Sequence, residues 1–120
     1  MNKEVIEWLL KGDPVIKYWV NRDLLNSNKR TLQVLQENME QEGWVKKLLL
    51  LQDKNTYIWG NGLYSPKWIS TTYTMLTLKD FGIRKNNSQY VGSAMLLTEK
   101  LWYNSKLKND IWIYVYAVWF

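Results

Sequence analysis

The sequence contains neither cysteine nor histidine, and these two absences exclude several kinds of active site. Without cysteine there is no disulfide and no thiolate nucleophile, and without histidine there is no imidazole base and no common zinc site. We therefore predict no catalytic residues, no bound metal and no cofactor. The lack of cysteine is also typical of a reducing compartment, and we expect a cytoplasmic protein.

The sequence also lacks an apolar run of the roughly 20 residues that a membrane-spanning helix needs, so we expect no membrane span. The most apolar segment is the tail "DIWIYVYAVWF", residues 110–120. Two interpretations of this tail stay open: it is buried against the body of the protein, or it belongs to something that the chain lacks. Because the terminal element of a helical array needs a polar outer face, we expect a homo-oligomer in which two copies cover each other.

The charge pattern does not favour one anionic partner. The net charge is +5, but the basic residues are spread through the chain, and Lys46-Lys47 is the longest run of lysines. A scattered excess of lysine is typical of a solvated surface, so we consider nucleic acid an unlikely partner.

Apolar periodicity and capping residues predict an all-α protein. Asp13 followed by Pro14 is typical of a helix start, and Gly43 and Gly82 are placed to end helices in the left-handed conformation. The pattern predicts helices over 2–10, 14–25, 30–42, 44–52, 70–81 and 88–102. Six helices in antiparallel pairs form a single domain, 1–120, built from hairpins of roughly 40 residues.

Within these helices, the apolar stripe expected on the second one consists of Ile16, Trp19, Val20 and Leu24. Ile83 is expected to fold back on the last turn of the fifth helix.

The polar side chains offer few candidates for catalysis. Glu37, Glu40 and Glu42 lie on a helix rich in Gln and Asn, which predicts a solvated face, and Asp23 beside Arg22 is typical of a surface ion pair. The hydroxyls of Ser65, Ser70, Thr71 and Thr72 have no histidine to activate them, so we expect no nucleophilic catalysis.

The segment "NTYIWGNGLYSPKW", residues 55–68, is rich in glycine and aromatic residues. One interpretation is structural, with Trp59 and Trp68 stacked under helix ends. The other places these rings at the wall of a pocket, and one segment can do both. Trp44, Leu48 and Gln52, followed by Trp59-Gly60 and Gly62, resemble the QW-type repeat of the terpenoid cyclase and protein prenyltransferase superfamily. In that repeat a Gln and a Trp tie the end of an outer helix to the start of the next inner helix.

The resemblance extends to two longer segments. Residues 12–25, "GDPVIKYWVNRDLL", and residues 59–83, "WGNGLYSPKWISTTYTMLTLKDFGI", look like the opening of bacterial proteins named for a prenyltransferase and squalene-oxidase repeat. This resemblance implies antiparallel helical hairpins that form part of an (α/α) toroid around an apolar cavity. The Asp-rich motif of the cyclases and the zinc ligands of the prenyltransferases have no counterpart here, so it does not imply an activity.

Our leading hypothesis is therefore a non-catalytic domain that binds an apolar small molecule or a partner chain at the cavity edge. The residues expected to line that edge are Trp59, Tyr64, Trp68 and Tyr73. The alternative is a fragment or subunit of an isoprenoid cyclase or prenyltransferase-like enzyme. A third hypothesis, a scaffold of the HEAT type for proteins or nucleic acid, is favoured if the basic residues share one face.

Overall fold

The structure, a computed structural model, describes residues 2 to 103, with side chains as far as Lys100. Within that range the chain forms six α-helices and no strand, apart from one isolated bridge between Trp59 and Gly62. The helices are α1 Lys3–Leu9, α2 Pro14–Asp23, α3 Lys29–Met39, α4 Gly43–Leu51, α5 Thr71–Phe81 and α6 Ser88–Leu97. The all-α prediction with about six helices is confirmed. The apolar tail lies outside the described residues.

The predicted sixth helix extends to residue 102, whereas α6 ends at Leu97 and continues as a π-helical segment, Thr98–Tyr103. The Thr98 hydroxyl donates to the backbone carbonyl of Ala94 at 2.9 Å. A threonine that bonds back to the carbonyl four residues earlier disturbs helical geometry. The change in helix type therefore begins at a residue with a local physical cause.

Asp13 holds the starts of two helices. Its Oδ1 accepts from the backbone N–H of Val15 at 2.9 Å and caps α2, while its Oδ2 accepts from the N–H of Trp44 at 2.9 Å, in the first turn of α4. Gly43 precedes this bond with a φ of 81°, and a Cβ at that position would overlap the Asp13 carboxylate. Glycine is thus required at residue 43 both by its backbone angle and by the space available.

Contacts divide the chain into two compact units. Unit 1 contains the described residues up to Leu51 together with Asp80–Arg84, and unit 2 contains Gln52–Lys79 and the described residues from Lys85 onward. Helix α5 therefore begins in unit 2 and ends in unit 1. Whether the chain is one folding domain stays a prediction.

Unit 1 packs α2, α3 and α4 around the apolar residues Val15, Val20, Met39, Val45 and Leu49. The end of α5 is held there by aromatic contacts, because the Phe81 ring lies 6.1 Å from Trp19 and 5.7 Å from Trp44. The Trp19 indole also donates to the carbonyl of Asp80 at 3.0 Å. Ile83, just after the helix, is buried as expected.

Two predictions for unit 1 are wrong. Of the stripe expected on α2, only Val20 is buried; the helix instead buries Val15 and Tyr18, whose ring fills the space beside Gly82. Glu40 does not lie on a solvated face. It is only 7% exposed, and its carboxylate accepts two hydrogen bonds from the Arg84 guanidinium, at 2.6 and 3.0 Å. A charged partner 44 residues away offsets the cost of burying the carboxylate.

In unit 2, buried amide and hydroxyl side chains form hydrogen bonds beside an apolar core that includes Met75, Leu78 and Leu97. Gln52, directly after α4, is buried and donates from Nε2 to the carbonyl of Gln89 and to the Ser93 hydroxyl, at 3.0 and 2.6 Å. Gln89 in turn donates to the Gln52 side-chain oxygen at 3.0 Å, and Ser93 donates to the carbonyl of Tyr57. These bonds fix the start of the aromatic segment against α6.

Candidate functional site

The aromatic segment is ordered at its first turn by Asp53. The Asp53 carboxylate accepts from the backbone N–H groups of Asn55 and Thr56, at 2.9 and 3.1 Å, and its own N–H donates to the carbonyl of Ile58 at 3.0 Å. The two backbone donors stabilise the charged form and hold the pKa of Asp53 below its usual value. The carboxylate is therefore used to shape the turn.

Three consecutive hydroxyls at the start of α5 hold the second part of the segment. Ser70 donates to the carbonyl of Tyr64 at 2.6 Å, Thr71 to that of Gly62 at 2.7 Å, and Thr72 to that of Leu63 at 2.7 Å. We call Ser70, Thr71 and Thr72 the hydroxyl clamp. All three residues are buried, and each proton is committed to a backbone carbonyl. Their role is consequently to position the segment.

Trp59 lies under the clamp rather than at a surface. It is 2% exposed, and its backbone N–H donates to the Thr71 hydroxyl at 2.9 Å. Gly60 follows with a φ of 60°, and a Cβ there would overlap the carbonyl of Ile69. Of the four residues predicted to line a binding edge, Trp59 is thus part of the core of unit 2.

The other three predicted residues come together. The Tyr73 ring lies 5.2 Å from the ring of Tyr64 and 5.2 Å from that of Trp68, measured between centroids. The Tyr73 hydroxyl donates to the Tyr64 hydroxyl at 2.8 Å, and this bond raises the pKa of Tyr73 above its usual value. With their neighbours Lys67 and Ile69, these residues form a surface that we call the aromatic patch.

The patch is unusually exposed. Trp68 is 73% exposed and the adjoining Ile69 is 59% exposed, whereas Trp59 nearby in the sequence is buried. The Lys67 amino group lies 5.0 Å from the centroid of the Trp68 ring, within range of a cation–π contact. Trp68 also has a positive φ of 75°, a conformation that costs a bulky residue about 1–3 kcal/mol. The fold therefore imposes a strained backbone on the aromatic side chain that is most exposed among residues 2 to 100.

Two apolar cavities formed by described residues lie in unit 1, between α1 and α2. One has a volume of about 250 Å³ and the other about 280 Å³. The first is lined by Trp8, Leu9, Lys11, Gly12 and Ile16. The second is lined by Leu9, Ile16, Trp19, Val20, Asp23 and Leu24. The stripe that the sequence predicted to be buried on α2 thus forms a wall of the second cavity, and the site residues chosen from the sequence line neither.

The first cavity has an exposed tryptophan of its own. Trp8 is 70% exposed, nearly as much as Trp68, but its helix carries Glu4 and Glu7. Sequence reasoning treated both α1 and α2 as packed helices. The signal that could have identified the cavities is α2 itself, which carries apolar residues on two faces: Val15 and Tyr18 are buried, whereas Ile16, Trp19 and Leu24 line the second cavity.

Among residues 2 to 103, no three acidic side chains lie close enough together to hold a metal ion. Acidic side chains are the relevant ligands because the sequence contains no histidine and no cysteine. No helix in the same range is long and apolar enough to cross a bilayer.

Comparison with known proteins found no matching family model, no matching curated protein and no matching solved structure. Membership of the cyclase and prenyltransferase superfamily therefore stays a prediction.

Proposed function

We propose that this protein is a non-catalytic binding domain whose aromatic patch takes up an apolar group of a ligand or partner. The observation that carries the proposal is Trp68, which is held 73% exposed in a strained left-handed backbone conformation. Strain of this kind persists only where the surrounding structure imposes it, and it concentrates at functional sites. The hydroxyl clamp supplies the constraint, because it fixes the carbonyls of residues 62–64 just ahead of the patch.

The aromatic patch is suited to contact with a ligand and not to catalysis. Two phenol rings and an indole present a continuous aromatic face, and Tyr64 and Tyr73 use their hydroxyls to bond each other. Aromatic side chains contribute a large contact area with few rotatable bonds, so they bind apolar groups at a low entropic cost. These properties support binding as the function.

We further propose that the chain contains the QW-type repeat. The support is that Gln52, at the end of α4, bonds to α6, while the backbone of Trp59 bonds to Thr71 at the start of α5. Gln52 thus ties the end of one helix to the start of a later one, the kind of tie that the resemblance implies, and Trp59 ties the connecting segment to the start of α5. We also propose that the protein acts in the cytoplasm as a homo-oligomer. Light scattering of the purified protein is the test of the oligomer, and a monomer at all concentrations would contradict it.

The binding proposal is tested with an apolar fluorescent probe such as anilinonaphthalene sulfonate and the variant Trp68→Asn. Asparagine tolerates a positive φ better than most residues, so the substitution removes the ring without adding strain. We expect weaker probe binding and an unchanged denaturation midpoint. Trp8→Gln, which removes an equally exposed ring on α1, is the matched control. Equal probe binding by wild type and Trp68→Asn would refute the proposal.

A further inference from the structure

We propose that the aromatic patch is an interfacial anchor that docks unit 2 on the surface of a lipid bilayer containing anionic lipids. This inference rests on the proposed function, since it names the partner of the same patch. It concerns a peripheral contact and involves no spanning segment.

The first argument is shape. Trp68 and Ile69 are consecutive, 73% and 59% exposed, and both side chains project from the protein. Exposed side chains of this kind insert into a partner, whereas a pocket would receive a group of the partner. A bilayer accepts such a pair without a preformed pocket, because headgroups and acyl chains rearrange around the inserted rings.

The second argument is chemical composition. Tryptophan and tyrosine are the residues that concentrate at the boundary between headgroups and hydrocarbon, since each ring has an apolar body and a polar edge. Lys67 lies beside the Trp68 ring and can keep its amino group at the level of the phosphates while its stem covers apolar surface. Ile69 adds an aliphatic side chain, which favours hydrocarbon over the stacked bases of a nucleic acid.

The third argument is charge. The described part of unit 2 carries five lysines against two acidic residues, a net charge of +3, whereas the described part of unit 1 carries nine basic and eight acidic residues, a net charge of +1. With no histidine in the sequence, this difference is constant through the physiological pH range. Anionic lipids attract each nearby lysine, so the patch lies in the unit with the complementary charge.

Trp8 supplies an internal comparison. It is nearly as exposed as Trp68, but its helix carries Glu4 and Glu7 against one lysine, Lys3, a net charge of −1. Even with Lys11, which lines the same cavity, the surroundings of Trp8 have no net positive charge to attract an anionic surface. If exposure of an indole were sufficient for membrane binding, the two tryptophans would be equivalent. The inference predicts that they are not.

The experiment is co-sedimentation of the full chain with phosphatidylcholine vesicles, with and without phosphatidylserine. We expect binding that is stronger with phosphatidylserine and weakens with added salt. Trp68→Asn should lower the partition coefficient about tenfold or more, as expected for withdrawing a large apolar side chain from lipid. Lys67→Gln should lower it about fivefold, and only on the anionic vesicles. Trp8→Gln should bind like the wild type.

Depth of insertion is measured by quenching of tryptophan fluorescence with brominated lipids. We expect quenching in the wild type and in Trp8→Gln, and its loss in Trp68→Asn. Absence of vesicle binding, together with Trp68-dependent binding of the fluorescent probe, overturns the lipid inference and leaves the proposed function standing. If Trp68→Asn changes neither probe binding nor vesicle binding, both are overturned. If Trp68→Asn converts a lipid-free dimer to a monomer in sedimentation velocity, the patch is covered by a second copy, which also overturns the inference.

Discussion

Units 1 and 2 differ in the interactions of their buried polar side chains. Unit 1 relies on helix packing, on the aromatic rings packed around Phe81 and on the ion pair of the buried Glu40 with Arg84. Unit 2 also has an apolar core, which includes Trp59, and there the neutral side chains of the hydroxyl clamp and Gln52 bond to backbone carbonyls. The difference shows that unit 2 uses its buried polar groups to fix a long non-helical segment, where unit 1 uses them to join helices.

The surfaces of the two units differ in the same way. Unit 1 presents apolar cavities between α1 and α2, and unit 2 presents side chains that project from a fixed loop. A cavity receives a ligand, whereas a projecting ring must enter something else. Neither of these two cavities includes a residue of the aromatic patch.

The largest effect that we expect comes from Trp59, on which the unit 2 segment rests. Trp59→Ala should destabilise the protein by about 3–5 kcal/mol, the usual loss when a fully buried large aromatic side chain is removed. The matched control is Trp68→Asn, which we expect to change stability by less than about 1 kcal/mol because the ring is exposed. Urea denaturation measures both. Equal destabilisation would mean that the patch is a structural element of unit 2.

The second prediction concerns the pH dependence of the free energy of unfolding. It rests on Tyr90, a tyrosine that is buried in unit 2. Burial disfavours the phenolate and raises the pKa of Tyr90 to about 12, above the ordinary tyrosine value of about 10. The folded state therefore keeps a proton that the unfolded state releases. Its contribution to stability is complete below pH 10 and is lost as the pH rises toward 12.

The measurement for Tyr90 is the free energy of unfolding as a function of pH, compared with Tyr90→Phe. The variant keeps the ring but cannot ionise, so its stability should fall less steeply above pH 10. Parallel curves for the two proteins would show that Tyr90 does not carry this pH dependence.

The third effect tests the hydroxyl clamp. Thr71→Val preserves shape but leaves the N–H of Trp59 and the carbonyl of Gly62 without their hydroxyl partner, which should cost about 1–3 kcal/mol. We expect faster amide hydrogen exchange in residues 55–64 and little change in α2 and α3. Thr77→Val is the control, since the Thr77 hydroxyl is exposed and bonds only within its own helix. Uniform acceleration across both units would show that the clamp does not act locally.

The smallest effect concerns the ion pair of unit 1. Glu40→Gln should destabilise by about 1 kcal/mol, because Arg84 is partly exposed and water compensates for part of the lost contact. Glu37→Gln, which removes only a longer exposed contact of 3.7 Å, should have almost no effect. Exchange should accelerate around Arg84 and not in the aromatic segment. A larger loss in Glu37→Gln than in Glu40→Gln would contradict this assignment.

Local features of the fold could be predicted from the sequence. The capping pair Asp13-Pro14 marks the start of α2, and Gly43 and Gly82 have the positive φ values, 81° and 99°, expected of residues that end helices. These signals depend on residues close together in the chain. The same is true of the grouping of Tyr64, Trp68 and Tyr73, because a short segment joins the first two to the start of α5.

Features set by distant residues could not be predicted. The burial of Glu40 depends on Arg84, and the side of α2 that packs depends on where Tyr18 meets Gly82. The hydroxyls of Ser70 and Thr72 were recognised as available groups, but their acceptors are backbone carbonyls, which have no sequence signature. By contrast, sequence position does separate Trp59 from Trp68: Trp59, beside the turn glycines and in the stapling position of the repeat, is 2% exposed, and Trp68, after Ser65-Pro66-Lys67, is 73% exposed, as expected of a rim side chain.

The first turn of α4 depends on Asp13, a residue that lies far upstream in the sequence. Its bond to Trp44 spans 31 positions, so the first turn of α4 receives its cap only after a long loop has closed. A peptide cut to contain α3 and α4 alone would have the apolar residues of both helices but would lack this cap. A fragment of unit 1 that begins after residue 13 would therefore lose this bond, and we expect the first turn of α4 to be weakened by about 1 kcal/mol.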